Sequence, residues 1–185
     1  MGEKDRVNRR LLEQVFRGLF QDLLQSLEAS NGGPFAAAIV RGGTVLGKGT
    51  NTVLRDTDVS RHAEVNALAD ATRNIGQVDL DGASLLTTHF PCLMCFHAAR
   101  WARISQIYYL FDYEETRNLF GFTGDERMLS DLGVRAEQLI GGSIIPATRV
   151  HGSFVKELYR DRLVAVWSGY RERLLHYDLD DRQSP

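Results

Sequence analysis

Cysteine is nearly absent from this 185-residue chain: two occur, Cys92 and Cys95, both in the run Pro91-Cys92-Leu93-Met94-Cys95. No third thiol exists elsewhere to join them. Two reduced thiols suit a reducing compartment. Long apolar runs are missing too, so no stretch is expected to span a bilayer. The N-terminus is charged and carries no apolar segment followed by a cleavage site. The expected location is therefore cytoplasmic. Basic excess is also absent. The formal net charge is −2 and the sequence pI about 6.2. Residues 1–30 hold five basic and five acidic side chains, and residues 151–185 hold six of each. Nucleic-acid recognition normally leaves a positive footprint. Its lack favours a small-molecule substrate over tRNA or DNA. No repeat, low-complexity tract or linker interrupts the chain, so residues 1–185 are expected to form one domain, with 43% hydrophobic residues to fill its core.

What is present is a constellation of metal-binding and proton-transfer groups. His62-Ala63-Glu64 precedes the cysteine run by 30 positions. One imidazole and two thiolates make three good zinc ligands. A structural zinc site normally takes four protein ligands, whereas a catalytic site keeps one position for water. The expected assignment is one Zn2+ per chain on His62, Cys92 and Cys95, with a water or hydroxide in the fourth position. Glu64, two residues from the imidazole, is placed to move that water's protons and so should not itself be a ligand. A redox dithiol is the competing reading of the two cysteines.

The hydrophobic pattern predicts a helix over 5–29, with Leu12, Val15, Phe16, Leu19, Leu23 and Leu27 on one face. Pro34–Val40 and Val45–Val53 read as strands around an Arg41–Thr44 turn, the second interrupted by glycine and bulged. A helix opens at His62 and runs to about Gly76. Ala83–Thr88 reads as a strand, Leu93–Ala102 as the cysteine helix, and Gln106–Phe111 as a strand. Short helices are expected over Glu114–Phe120 and Asp125–Leu132, a fifth strand over Val134–Ile140, and a last helix over Phe154–His176. The alternation implies a mixed sheet covered by helices.

The arrangement His-x-Glu…Pro-Cys-x-x-Cys resembles the signature of zinc-dependent base deaminases. The chain is similar to the cytidine and deoxycytidylate deaminase superfamily, and within it to the bacterial guanine deaminases, then the tRNA adenosine deaminases. Gly33-Pro34-Phe35 before an alanine-rich strand, Asn51, His62-Ala63-Glu64-Val65, Trp101-Ala102-Arg103, and Gly121-Phe122 followed by Asp125 carry the likeness over about residues 5–130. It implies a three-layer α-β-α sandwich around a central mixed five-stranded sheet, the cytidine deaminase-like fold. It also implies hydrolytic deamination of a nucleobase, guanine to xanthine and ammonia above all, in a homodimer. Cytosine, a nucleoside, a triazine or tRNA adenosine are alternative substrates. A zinc-fold nucleic-acid-binding protein without activity is a further reading.

Substrate contacts follow from the same resemblance. Asn51 would read the purine edge, unless it caps a turn, and Phe35 would pack on the flat base, unless it belongs to the core. Asp125 would accept from the guanine N1–H and 2-amino groups, unless it caps a helix. Glu114 and Glu115 are competing carboxylates. Two departures stand out. Relatives carry a glutamate before the proline where this chain has Phe90, and His89 is a new polar group beside the metal run. His89 would touch substrate, orient a ligand or be structural. The tail, Asp178–Pro185, lacks the terminal aromatic of the C-terminal segment that guanine deaminases exchange between subunits, though Tyr177 is nearby.

Overall fold

The computed structural model describes residues 7–122, 145–150 and 154–174. Helix α1 (Arg9–Glu28) opens where Asn8 accepts a hydrogen bond from the Leu11 amide, a short polar side chain capping the first turn. Its apolar stripe, with Val15, Phe16, Leu19, Phe20, Leu23 and Leu27 buried, packs on one face of a sheet.

That sheet has five strands in the order β2-β1-β3-β4-β5. They are β1 (Ala36–Arg41), β2 (Thr44–Thr50), β3 (Ser84–His89), β4 (Gln106–Phe111) and β5 (Ala147–Arg149). The β1 strand runs antiparallel to both β2 and β3, while β3, β4 and β5 are parallel, so the sheet is mixed. β3 is buried along its whole length, as expected of a central strand covered on both faces.

The second face is covered by α3 (Ala63–Ile75) and α4 (Leu93–Trp101). The first face carries α1 together with Leu163 and Trp167 of α6 (Phe154–Leu174). A four-residue turn of helix, α2 (Val53–Asp56), and α5 (Tyr113–Phe120) complete the described elements. The architecture is the three-layer sandwich expected from the sequence.

Two details differ from the sequence reading. The strand beside β4 is Ala147–Arg149, a segment with too little pattern to announce itself. The stretches expected as the 125–132 helix and the 134–140 strand lie outside the described residues. β2 ends at Thr50 rather than Val53, because the chain turns into α2. The expected bulge is present: Ile39 pairs with Gly47 and Val40 with Val45, leaving Leu46 as the extra residue.

The glycines of β2 do a different job from the bulge. A Cβ on Gly49 would stand 2.5 Å from Ala63 O and Ala67 N, and one on Gly47 would collide with the Ala71 backbone. Ala63, Ala67 and Ala71 are fully buried and lie on one face of α3 at four-residue spacing. Small residues on both elements let α3 lie directly on the sheet. That contact sets where the first turn of α3, carrying His62 and Glu64, stands.

Candidate active site

His62 and Cys92 occupy equivalent places: each is the N-cap residue of its helix, α3 and α4 respectively, and neither side chain caps it. Both side chains instead turn toward each other. His62 Nδ1 lies 3.5 Å from Cys92 Sγ and 3.6 Å from Cys95 Sγ. A tetrahedral zinc held at about 2.3 Å from sulfur and about 2.0 Å from nitrogen requires N···S separations of roughly 3.5 Å. The donor set therefore fits zinc in both chemistry and spacing. All three ligand atoms lie within 4.8 Å of one another, and among the described residues no fourth His, Cys, Asp or Glu joins them.

The electrostatics suit a cation. The Cys92 thiol is held down to about 4, by the hydrogen bond from Cys95 first and by His62, against the opposing effect of burial. Cys95, donating to that thiolate and itself buried, is pushed up. A coordinating thiol is deprotonated by the ion's own charge. The two helix N-termini add positive potential from the same side.

Glu64, in the first turn of α3, is 4% exposed. Its Oε2 lies 3.4 Å from Cys95 Sγ, and its Oε1 is 3.2 Å from the Thr87 hydroxyl of β3. Burial, then the Cys92 charge, raises its pKa above the usual carboxylate range. Glu64 thus borders the metal-binding set without belonging to it. Thr87 was not foreseen in the sequence. A threonine in a buried strand carries no local signal of what it faces.

Asn51 is 1% exposed and follows β2. Its Oδ1 accepts the backbone N–H groups of Gly33 and Val53, both at 3.2 Å. Two backbone donors fix which end of the amide is oxygen. A Cβ on Gly32 would strike that oxygen, so the glycine loop before β1 is shaped around Asn51.

Phe35 is half-buried, immediately before β1. It meets Phe122 edge-on at 4.9 Å and His89 at 4.7 Å between ring centroids. It belongs to an aromatic wall rather than to the fully buried core. His89 is buried within that wall, stacked on Phe111 and edge-on to Phe120. Its Nδ1 lies 2.9 Å from Thr88 Oγ1, while Nε2 has no hydrogen-bond partner among the described residues. Burial, reinforced by the charge of Lys156, holds this imidazole down to about 3 and therefore neutral.

The remaining candidates separate clearly. Phe90 packs against Tyr109 and Tyr113, and the Tyr113 hydroxyl donates to Pro91 O at 3.0 Å, bracing the cysteine turn. Glu115 forms a capping box with Asp112 and pairs with Arg149 and Lys156 at 2.6 Å each. Its oxygens are thus committed to α5 and its neighbours. Glu114 is exposed. Asp125 and Tyr177 lie outside the described residues.

Comparison with known proteins agrees with this centre. Residues 12–111 match the family model described as the cytidine and deoxycytidylate deaminase zinc-binding region. The guanine deaminase of Bacillus subtilis (strain 168) is 36% identical over 91 residues, 49% of this chain and 58% of that protein. A tRNA-specific adenosine deaminase of Agrobacterium fabrum is 38% identical over 76 residues, 41% of this chain and 50% of that protein. The chain thus spans about half the length of these curated relatives. Among solved structures, a guanine deaminase from Nitrosomonas europaea superposes with a TM-score of 0.66 at 28% identity, covering 86% of this chain and 84% of that one. The X-ray structure of the Bacillus subtilis guanine deaminase gives 0.62 at 28% identity, covering 84% and 94%. With more than half its length matched and the metal-binding side chains converging, the chain belongs to the cytidine and deoxycytidylate deaminase family.

Proposed function

We propose that this protein is a zinc-dependent aminohydrolase acting on a free nucleobase, converting guanine and water to xanthine and ammonia. The observation that carries this reading is the buried Glu64 carboxylate beside, and outside, a three-ligand centre of His62, Cys92 and Cys95. When bound, zinc supplies a nucleophile at neutral pH by lowering the pKa of water to about 7.

The chain's own groups do the rest. Glu64 takes a proton from the attacking water, passes it to the ring nitrogen beside the reacting carbon, and helps protonate the departing amine. Net, water adds its oxygen to the ring carbon and the exocyclic nitrogen leaves as ammonia. Such positioned acid–base groups contribute about 10² to 10⁴ in rate. Asn51, with Oδ1 already bonded to two backbone amides, presents its Nδ2 donors to an acceptor on the base edge. Phe35 packs on the flat ring, and His89 Nε2 meets a polar atom of the substrate. Asp125 accepts from the N1–H and 2-amino groups that guanine has and adenine lacks. The protein acts in the cytoplasm as a homodimer.

A second reading, adenosine in tRNA, is supported by the similarity to tRNA-specific adenosine deaminases. The near-neutral charge balance favours the free base. Ammonia release from guanine, adenine, cytosine, their nucleosides, triazines and tRNA tests both. Turnover highest with guanine is the expected result. Turnover of tRNA alone would overturn it. Glu64→Ala should retain zinc while turnover falls about 10²- to 10⁴-fold, and undiminished turnover would refute the shuttle.

A further inference from the structure

Thr87 and Thr88 are adjacent on β3, both fully buried, and their hydroxyls have different partners. Thr88 is absorbed by its neighbours: it accepts from Ala36 N at 3.1 Å, reaches Ala36 O at 3.3 Å, and touches His89 Nδ1. Thr87 has one hydroxyl proton and two acceptors, Glu64 Oε1 at 3.2 Å and the His89 carbonyl at 3.0 Å. Satisfying the strand would need only the carbonyl. The Glu64 oxygen is therefore a second acceptor within reach of that proton, and it lies off the strand, on α3.

We propose that Thr87 is the positioning residue for the Glu64 carboxylate, holding Oε1 from the sheet so that Oε2 is the oxygen that exchanges protons. The geometry is one-sided. Oε1 faces β3 and the Thr87 hydroxyl, whereas Oε2 lies on the ligand side, 3.4 Å from Cys95 Sγ. A carboxylate on a helix's first turn keeps two side-chain torsions and a terminal rotation free to vary. The Glu64 backbone N–H also bonds this carboxylate, but the Thr87 hydroxyl is the contact from the sheet, made to Oε1, and it distinguishes the two oxygens.

The strand is a rigid support for this purpose. Thr87 sits between Ala37 of β1 and Tyr109 of β4, paired on both sides. Positioning from a central strand is more exact than positioning from a loop. Thr87 keeps its own proton throughout. The proton that moves belongs to the substrate water and ends on the ring or the departing amine.

The inference rests on the proposed role of Glu64 and is tested beside it. In the zinc-loaded protein, Thr87→Val should lower kcat about 10- to 100-fold, the scale of a hydrogen bond to a charged group, with KM changed less than threefold. Zinc content should stay at one per chain, and Thr87→Ser should restore most of the rate. A crystal structure of zinc-loaded Thr87→Val should show the Glu64 carboxylate rotated from its native orientation. If the valine variant does not fold, Thr87→Ala serves in both measurements. An unmoved carboxylate, or a kcat within twofold of the parent, overturns the inference. So does a loss that Thr87→Ser fails to reverse. If the parent releases ammonia from no substrate, the functional reading fails, and the carboxylate's orientation still decides the role of Thr87.

Discussion

Asn51 Oδ1 accepts the amide protons of Gly33 and Val53 at equal distances of 3.2 Å, joining the glycine loop before β1 to the start of α2. The side chain is thereby oriented by its oxygen, and the proposed role gives its donor end to the base. Asn51→Asp should preserve both backbone contacts but replace the donor with an acceptor. Its melting temperature should stay within a few degrees of the parent. Its kcat/KM for guanine should fall about 10- to 100-fold, matching the roughly 1–3 kcal/mol cost of an unpaired buried polar group. Asn51→Leu should also lose stability, because two buried N–H groups lose their acceptor. Equal kcat/KM for the Asp variant and the parent would show that Nδ2 meets no substrate.

Gly47 and Gly49 place α3 on the sheet, so their substitution should disturb the site without touching it. A methyl on Gly47 meets the Ala71 backbone, which has no flexible end to move aside. Gly47→Ala should cost about 1–3 kcal/mol or more through overpacking, read as a lower denaturant midpoint at unchanged slope. Zinc affinity should fall with it, because His62 stands at the start of the displaced helix. Gly42→Ala is the useful contrast: nothing lies within 4 Å of its added methyl, but its φ of +56 favours glycine. Its stability cost should come without loss of zinc affinity.

His89 makes an acid-sensitive contribution. Burial, with the neighbouring Lys156 charge, keeps its imidazole neutral down to about 3, whereas an unfolded histidine titrates near 6.5. Between those values the unfolded chain binds a proton that the folded one does not. Stability must therefore fall as pH drops from about 6.5 toward 3 and be unaffected by this group above that window. His89→Phe should flatten the fall. Urea midpoints of both proteins at one zinc concentration, measured from pH 7.5 to 4.5, give the comparison. Parallel curves would contradict the neutral, buried assignment.

Metal removal should be legible at the thiols. Chelation of the zinc-loaded protein should release one zinc per chain and expose two titratable thiols, with Cys92 the faster to react because its thiol is held down to about 4. Cys95→Ser should bind zinc at least tenfold more weakly. Stoichiometric, tightly held zinc in that variant would point to a ligand outside His62, Cys92 and Cys95.

Much of the site was readable because its chemistry is encoded locally. Cys92 and Cys95 share a helix face through their spacing, and Pro91 marks where that helix begins. His62 and Glu64 flank a helix start for the same reason. The long periodic helices and the β1, β3 and β4 strands were legible from apolar spacing. β5 was not, because three residues of mixed burial carry no period. Phe35 and His89 were readable as candidates, but not as members of one aromatic wall. That contact joins segments 54 positions apart in the chain.

The sequence by itself determined the metal-binding set, the neighbouring carboxyl group and the layered fold, since these depend on residue type, short spacing and periodicity. The tertiary structure alone decided which atoms remain for chemistry. Glu64 presents one oxygen to Thr87 and the other to the ligand side, Asn51 spends its oxygen on two backbone amides, and Glu115 is occupied by Arg149 and Lys156. Those assignments depend on hydrogen-bond partners brought together by packing across the sheet, and no local pattern specifies them.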